Sequence, residues 1–146
     1  MLNLNIQKTF VIAGLTTTVL MFAAPLAHAE MMKFSTVLNG AAEVPPSDTA
    51  ASGSADVSVD TEAKKVTWTV KVEGLTGDAT AAHIHGPASA TEKAPPVIDM
   101  SAGIMAGSAD ITDAQIAELK AGKYYVNVHT AKFPDGEIRG QLAVAP

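Results

Sequence analysis

From Val66 to Glu73 the chain reads VTWTVKVE, with Val66, Trp68, Val70 and Val72 alternating with Thr67, Thr69, Lys71 and Glu73. Successive side chains of a strand point to opposite faces, so this alternation predicts a strand with one face buried. ADVSVD, residues 55–60, repeats the pattern with Val57 and Val59. KFSTVLNG at 33–40, AAHIHG at 81–86, VIDM at 97–100, GIMAGSADI at 103–111 and KYYVNVHT at 123–130 predict further short extended segments. The last, EIRGQLAVA at 137–145, reads as one strand: Ile138, Leu142 and Val144 on the core face, and Glu137, Arg139 and Gln141 on an exposed polar face. Pro45-Pro46, the Thr76-Gly77-Asp78 run, the loop 87–96 and Phe133-Pro134-Asp135-Gly136 mark the turns between them.

Only TDAQIAELKAG, residues 112–122, carries a helical pattern. Thr112 is a natural N-cap, Gln115 stands at capping-box spacing, Ile116 and Leu119 form the apolar stripe, and Gly122 suits the stop. Seven or eight short strands with one short helix predict an all-β fold. The expected architecture is an antiparallel β-sandwich with Greek-key connections, residues 30–146 forming a single domain.

The N-terminal 29 residues read differently. A short segment with one positive charge, Lys8, precedes a long apolar run that ends on Ala27-His28-Ala29. Small residues at the two positions a signal peptidase reads, with no basic stop-transfer sequence beyond, predict a cleaved signal peptide rather than a membrane anchor. The domain is then expected to be exported, periplasmic or secreted, and to start at Glu30. Cleavage after Ala27 would create an N-terminal histidine, but would put Pro25 at the upstream reading position, a poor site.

Charge narrows the partners. The chain carries 10 Lys and Arg against 15 Asp and Glu, and the signal segment removes only Lys8. An acidic domain without basic runs argues against binding nucleic acid or anionic membranes. The absence of cysteine excludes disulfides, thiolate metal sites and thiol nucleophiles. No Ser-His-Asp order, phosphate-binding glycine loop or helical His-Glu motif is present.

What remains is histidine. His83 and His85 flank Ile84 and so share a face; His129 shares a face with Tyr125 and Asn127, opposite Val126 and Val128. With Ile84 and the valines in the core, all three histidines face outward, and neighbouring strands would bring them together. Three imidazoles suit a first-row transition metal with an open coordination position, copper first and zinc second. Closing bonds near 2 Å on one ion requires ring nitrogens within about 3–4 Å of one another. Glu43 could orient a histidine or fix its own loop. Met31, Met32, Met100 and Met105 could serve Cu(I) or simply fill space. The second reading is a non-catalytic interaction or structural module of the cell envelope, with a protein partner.

FSTVLNGAAEVPP, AHIHGPA, AGKYYVNVHT and FPDGEIRGQL together resemble the CHRD domain, a module named after chordin and also found singly in exported bacterial proteins. The resemblance runs from Phe34 to Leu142 and implies a β-sandwich. A more distant resemblance is to the copper/zinc superoxide dismutases, which carry a His-x-His pair and a later copper histidine on a Greek-key sandwich. It implies that His83, His85 and His129 are counterparts of copper ligands, and loosely that Arg139 is an anion-guiding arginine. Lys123 and Lys132 are the other cations expected nearby. No bridging histidine, zinc cluster or disulfide has a counterpart here, so the resemblance implies a copper-only site. The overall acidity ranks copper binding or sequestration above superoxide turnover.

Overall fold

The computed structural model describes residues 30–146; the signal peptide assigned to residues 1–29 lies outside the described residues. The strands are β1 (Met31–Asn39), β2 (Ser52–Asp60), β3 (Lys65–Glu73), β4 (Ala79–His85), β5 (Pro96–Asp99), β6 (Ala106–Asp110), β7 (Tyr125–Thr130), β8 (Ile138–Gln141) and β9 (Ala143–Val144). The helix α1 (Asp113–Lys120) lies between β6 and β7. Every pairing is antiparallel. The all-β expectation therefore holds.

The strands hydrogen-bond as one continuous sheet in the order β5-β4-β7-β8-β1-β2-β3-β6, with β9 beside β1. β1, β2 and β3 form a meander in full register, from Met31 opposite Asp60 to Ser52 opposite Glu73. The neighbours β4 and β7, and β3 and β6, are distant in sequence, so the chain crosses between the two halves of the sheet. The sheet folds over one hydrophobic cluster that draws on both halves: Phe34, Leu38, Val57, Val59, Val66, Trp68 and Val70 from β1–β3, and Ile84, Ile98, Val126, Val128 and Ile138 from the other strands. Ile116 and Leu119 of α1 pack into the same cluster, and the capping box at Thr112 and Gln115 is formed in full.

The C-terminal segment departs from expectation. It is two strands, not one. Leu142 donates its N–H to Tyr124 O at 2.9 Å, after which the contact with β7 ends and only the pairing with β1 goes on, Phe34 lying opposite Val144. This loss of a partner breaks the parity: Ile138 and Leu142 are buried, while Val144 is 62% exposed. Met100 is sealed into the core, whereas Met31 and Met105 are exposed.

Ile84 is the inward residue between the two β4 histidines and has no exposed surface. Truncating a fully buried aliphatic side chain removes its transfer free energy and leaves a cavity. Ile84→Ala is expected to lower the unfolding free energy by about 2–5 kcal/mol in urea denaturation.

Candidate metal centre

The site lies on the face of β4, β7 and β8 that points away from the core. Sequence parity places polar residues there, but that face is not open. All six positions of β7 are buried, Asn127 and His129 included. Three loops cover it, each held by the polar face beneath. Loop 40–51 is tied down by Glu43, whose Oε1 accepts from Asn127 Nδ2 at 2.6 Å, and by Ser47 Oγ, which donates to Glu137 O at 2.6 Å. Loop 86–95 is held by Arg139 Nη2, which donates to Ser89 O at 3.1 Å and Glu92 O at 2.8 Å, and by Gln141 Nε2, which donates to Ala88 O at 3.0 Å. Turn 131–136 closes over His129, whose Nδ1 lies 2.9 Å from Pro134 O.

Glu137 and Arg139, expected on an exposed polar face, are therefore among the most buried side chains of the molecule, 0% and 2% exposed. The reason is satisfaction of charge. Glu137 accepts hydrogen bonds from the hydroxyls of Thr49, Thr76 and Thr130 and from the N–H of Thr76. Burial alone pushes its carboxyl up, but these bonds outweigh burial and hold it below the usual carboxylate value. Arg139 lays its guanidinium 3.5 Å from the centroid of the Tyr125 ring.

The β4–β7 register assembles the histidines. His129 stands opposite Ala81, so His83 is its diagonal neighbour on the same face, and His85 stands opposite Tyr125. One ring nitrogen from each of His83, His85 and His129 lies within 4.8 Å of the others. The tightest contact is between His83 Nδ1 and His129 Nε2, 3.0 Å. Ring nitrogens bound to a common ion sit up to about 4 Å apart, so closure takes a side-chain shift of no more than about 1 Å.

Hydrogen bonds fix which nitrogens are free. A ring nitrogen facing a carbonyl must donate, so His85 Nδ1 donates to Ala94 O at 2.9 Å and His129 Nδ1 to Pro134 O. Both rings thus present Nε2 as a lone pair. His129 Nε2 accepts from His83 Nδ1. His85 Nε2 is buried and has no hydrogen-bond partner among the described residues. A lone-pair-bearing ring nitrogen without a hydrogen-bond partner, in a ring clustered with two other imidazoles, suits a metal ligand set before loading, with a carbonyl behind two of its rings. The residues fit the ion.

Burial also favours the neutral form of two of the rings, His85 and His129. Burial, first of all, pulls His85 down to about 4, with His83, His129 and Arg139 acting in the same direction against the Ala94 hydrogen bond. Burial likewise lowers His129, with the Pro134 hydrogen bond opposing. Neutral imidazoles carry the lone pair that a metal binds.

The sequence model of the CHRD domain matches residues 34–142. The chain belongs to the CHRD domain family. No curated protein and no solved structure matches it.

Within this CHRD domain the sequence-based site residues divide clearly. His83, His85 and His129 come together on one face as expected, with ring nitrogens within 4.8 Å of one another rather than within the ~3–4 Å that a shared ion requires. Arg139 does not serve as an exposed anion guide, because its guanidinium is enclosed and its Nη2 is committed to loop carbonyls. Glu43 contacts Asn127 rather than a histidine, so it fixes its loop. Tyr125, which strand parity places on the histidine face as a residue that could line the site, does support the histidines; parity does not foresee the loop carbonyls behind the rings. Tyr125 stacks on His85 with ring centroids 4.9 Å apart and planes 2° from parallel. Its hydroxyl exchanges hydrogen bonds with the N–H and carbonyl of Ala94, the residue that orients His85. The signal was there in Tyr125 sharing the histidine face; the carbonyls of Ala94 and Pro134 leave none.

Glu43 borders an open cleft of about 280 Å³ between loop 43–48 and turn 132–136. Burial raises its carboxyl to about 7, against the opposing pull of Arg139, Lys93 and the Asn127 hydrogen bond. Between about pH 4.5 and 7 the folded state therefore holds a proton that the unfolded chain does not, and Glu43 loses stabilising influence as pH rises through that window. Glu43→Gln keeps the acceptor for Asn127 and removes the titration. Its stability relative to the wild type is expected to rise from pH 4.5 to 7 and stay level above, as measured by denaturant unfolding across that range. His85 acts in the opposite sense, costing stability as pH falls from 6.5 toward 4, but does so in both proteins and cancels in the comparison.

Proposed function

We propose that this CHRD domain is an exported metal-binding module, periplasmic or secreted. It holds one first-row transition-metal ion, copper, through His83 Nδ1, His85 Nε2 and His129 Nε2. That one ring nitrogen from each of the three histidines lies within 4.8 Å of the others carries the reading. Its support is the tautomer assignment: two Nδ1 atoms committed to carbonyls leave two Nε2 atoms as lone pairs, one of them without a partner among the described residues.

Copper follows from the donor set. Imidazole nitrogens without thiolate or carboxylate in the group favour Cu(II) over the other common divalent ions, zinc among them. Three protein ligands leave a coordination position open. A bound copper ion would supply one-electron chemistry there. We assign binding or sequestration rather than superoxide turnover, because the buried arginine closest to the rings faces loop carbonyls and the domain as a whole is acidic.

Titrating the domain, residues 30–146, with Cu(II) and Zn(II) against a chromophoric chelator tests the reading. The expected result is one ion per chain, copper tighter than zinc. His83→Ala, His85→Ala and His129→Ala should each weaken copper by at least about a hundredfold, about 3 kcal/mol. Copper at a hundred times Kd should also raise unfolding stability by about 2.7 kcal/mol. Binding that ignores all three substitutions would favour the second reading, a non-catalytic module of the cell envelope whose histidines are structural.

A further inference from the structure

His85 and His129 each have a fixed acceptor behind the ring, and His83 has none among the backbone carbonyls. What stands behind His83 is Asp99. The β4–β5 register puts the two directly opposite each other, on the face shared by the three histidines. Asp99 Oδ1 lies 3.8 Å from His83 Nε2, beyond hydrogen-bonding distance. His83 Nδ1 is engaged with His129 Nε2, so Nε2 is the ring nitrogen left to face the carboxylate.

Resting on the metal reading above, we propose that Asp99 is the positioning carboxylate of His83 in the loaded site, and that it favours Cu(II) over Cu(I). A neutral His83 ring that gave Nδ1 to the ion would carry its hydrogen on Nε2. The new Nε2–H points at Asp99 Oδ1, which accepts it after a closure of under about 1 Å. A carboxylate accepting from the far side of a ligating imidazole fixes the ring and raises its donor strength. Its negative charge also favours the more highly charged oxidation state.

The carboxylate is itself aimed. Ser101 N–H donates to Asp99 Oδ1 at 2.8 Å, anchoring the side chain where β5 ends. Asp99 is otherwise exposed, its side chain 74% accessible, so nothing in the core depends on it. That exposure also means that solvent and salt weaken the effect.

The experiment measures Cu(II) and Cu(I) affinities of the wild type, Asp99→Asn and Asp99→Glu by competition with chelators selective for each oxidation state, together with unfolding of the metal-free proteins. Asparagine keeps the acceptor for Ser101 and removes the charge. The expected result is about a tenfold loss of Cu(II) affinity in Asp99→Asn at low salt. Cu(I) affinity should change by less than about threefold, the gap should narrow at high salt, and metal-free stability should be unaltered. Asp99→Glu should recover much of the Cu(II) affinity. Tight wild-type copper binding that Asp99→Asn leaves unchanged, or equal loss for both oxidation states, overturns the role of Asp99 alone. A wild type that binds no copper overturns the metal reading and this role together.

Discussion

A polar sheet face that is covered rather than solvated must find a partner for every group on it, and this constraint shapes one half of the molecule. An unpaired buried polar atom costs about 1–3 kcal/mol, so loops settle over such a face only where donors and acceptors match. Here the outer face of β4, β7 and β8 supplies Glu137 for three threonines, Asn127 for Glu43, and Arg139 and Gln141 for the carbonyls of loop 86–95. These contacts make the loops part of the fold. They also decide the position of Ala94 and Pro134, whose carbonyls hold His85 and His129. The geometry of the histidine cluster is thus set from two sides, by the sheet register below and by the pinned loops above.

Most of the framework was legible because a half-buried strand writes its burial into the sequence at period two. Val66–Glu73, Val57 and Val59, and the capping box at Thr112 appear where the pattern places them. The outward direction of the histidines was legible for the same reason. Their mutual distance was not. It depends on His129 standing opposite Ala81 rather than two residues away, and long-range register has no local signature.

Parity also says which way a side chain points, not what lies beyond it. Glu137 and Arg139 alternate with Ile138 as an exposed face would, yet both are enclosed, because covering loops and solvent leave the same alternation in a strand. The loss of a partner at Leu142 is illegible for a related reason. The apolar run simply continues through Val144, while the contact with β7 ends and only the pairing with β1 goes on.

The face has exceptions to its own rule, and they are informative. Among the described residues, three buried side-chain atoms lack partners: His85 Nε2, Asn127 Oδ1 and Gln141 Oε1. Each belongs to a side chain anchored through another atom, so each forgoes one bond while keeping another. His85 alone among them is a metal-ligating type. Its Nδ1 is held by Ala94, its ring is stacked on Tyr125, and burial suppresses the protonation that would otherwise give Nε2 a hydrogen. The ring is thus held with an uncharged lone pair, and an ion shared with His83 and His129, as proposed above, would occupy it.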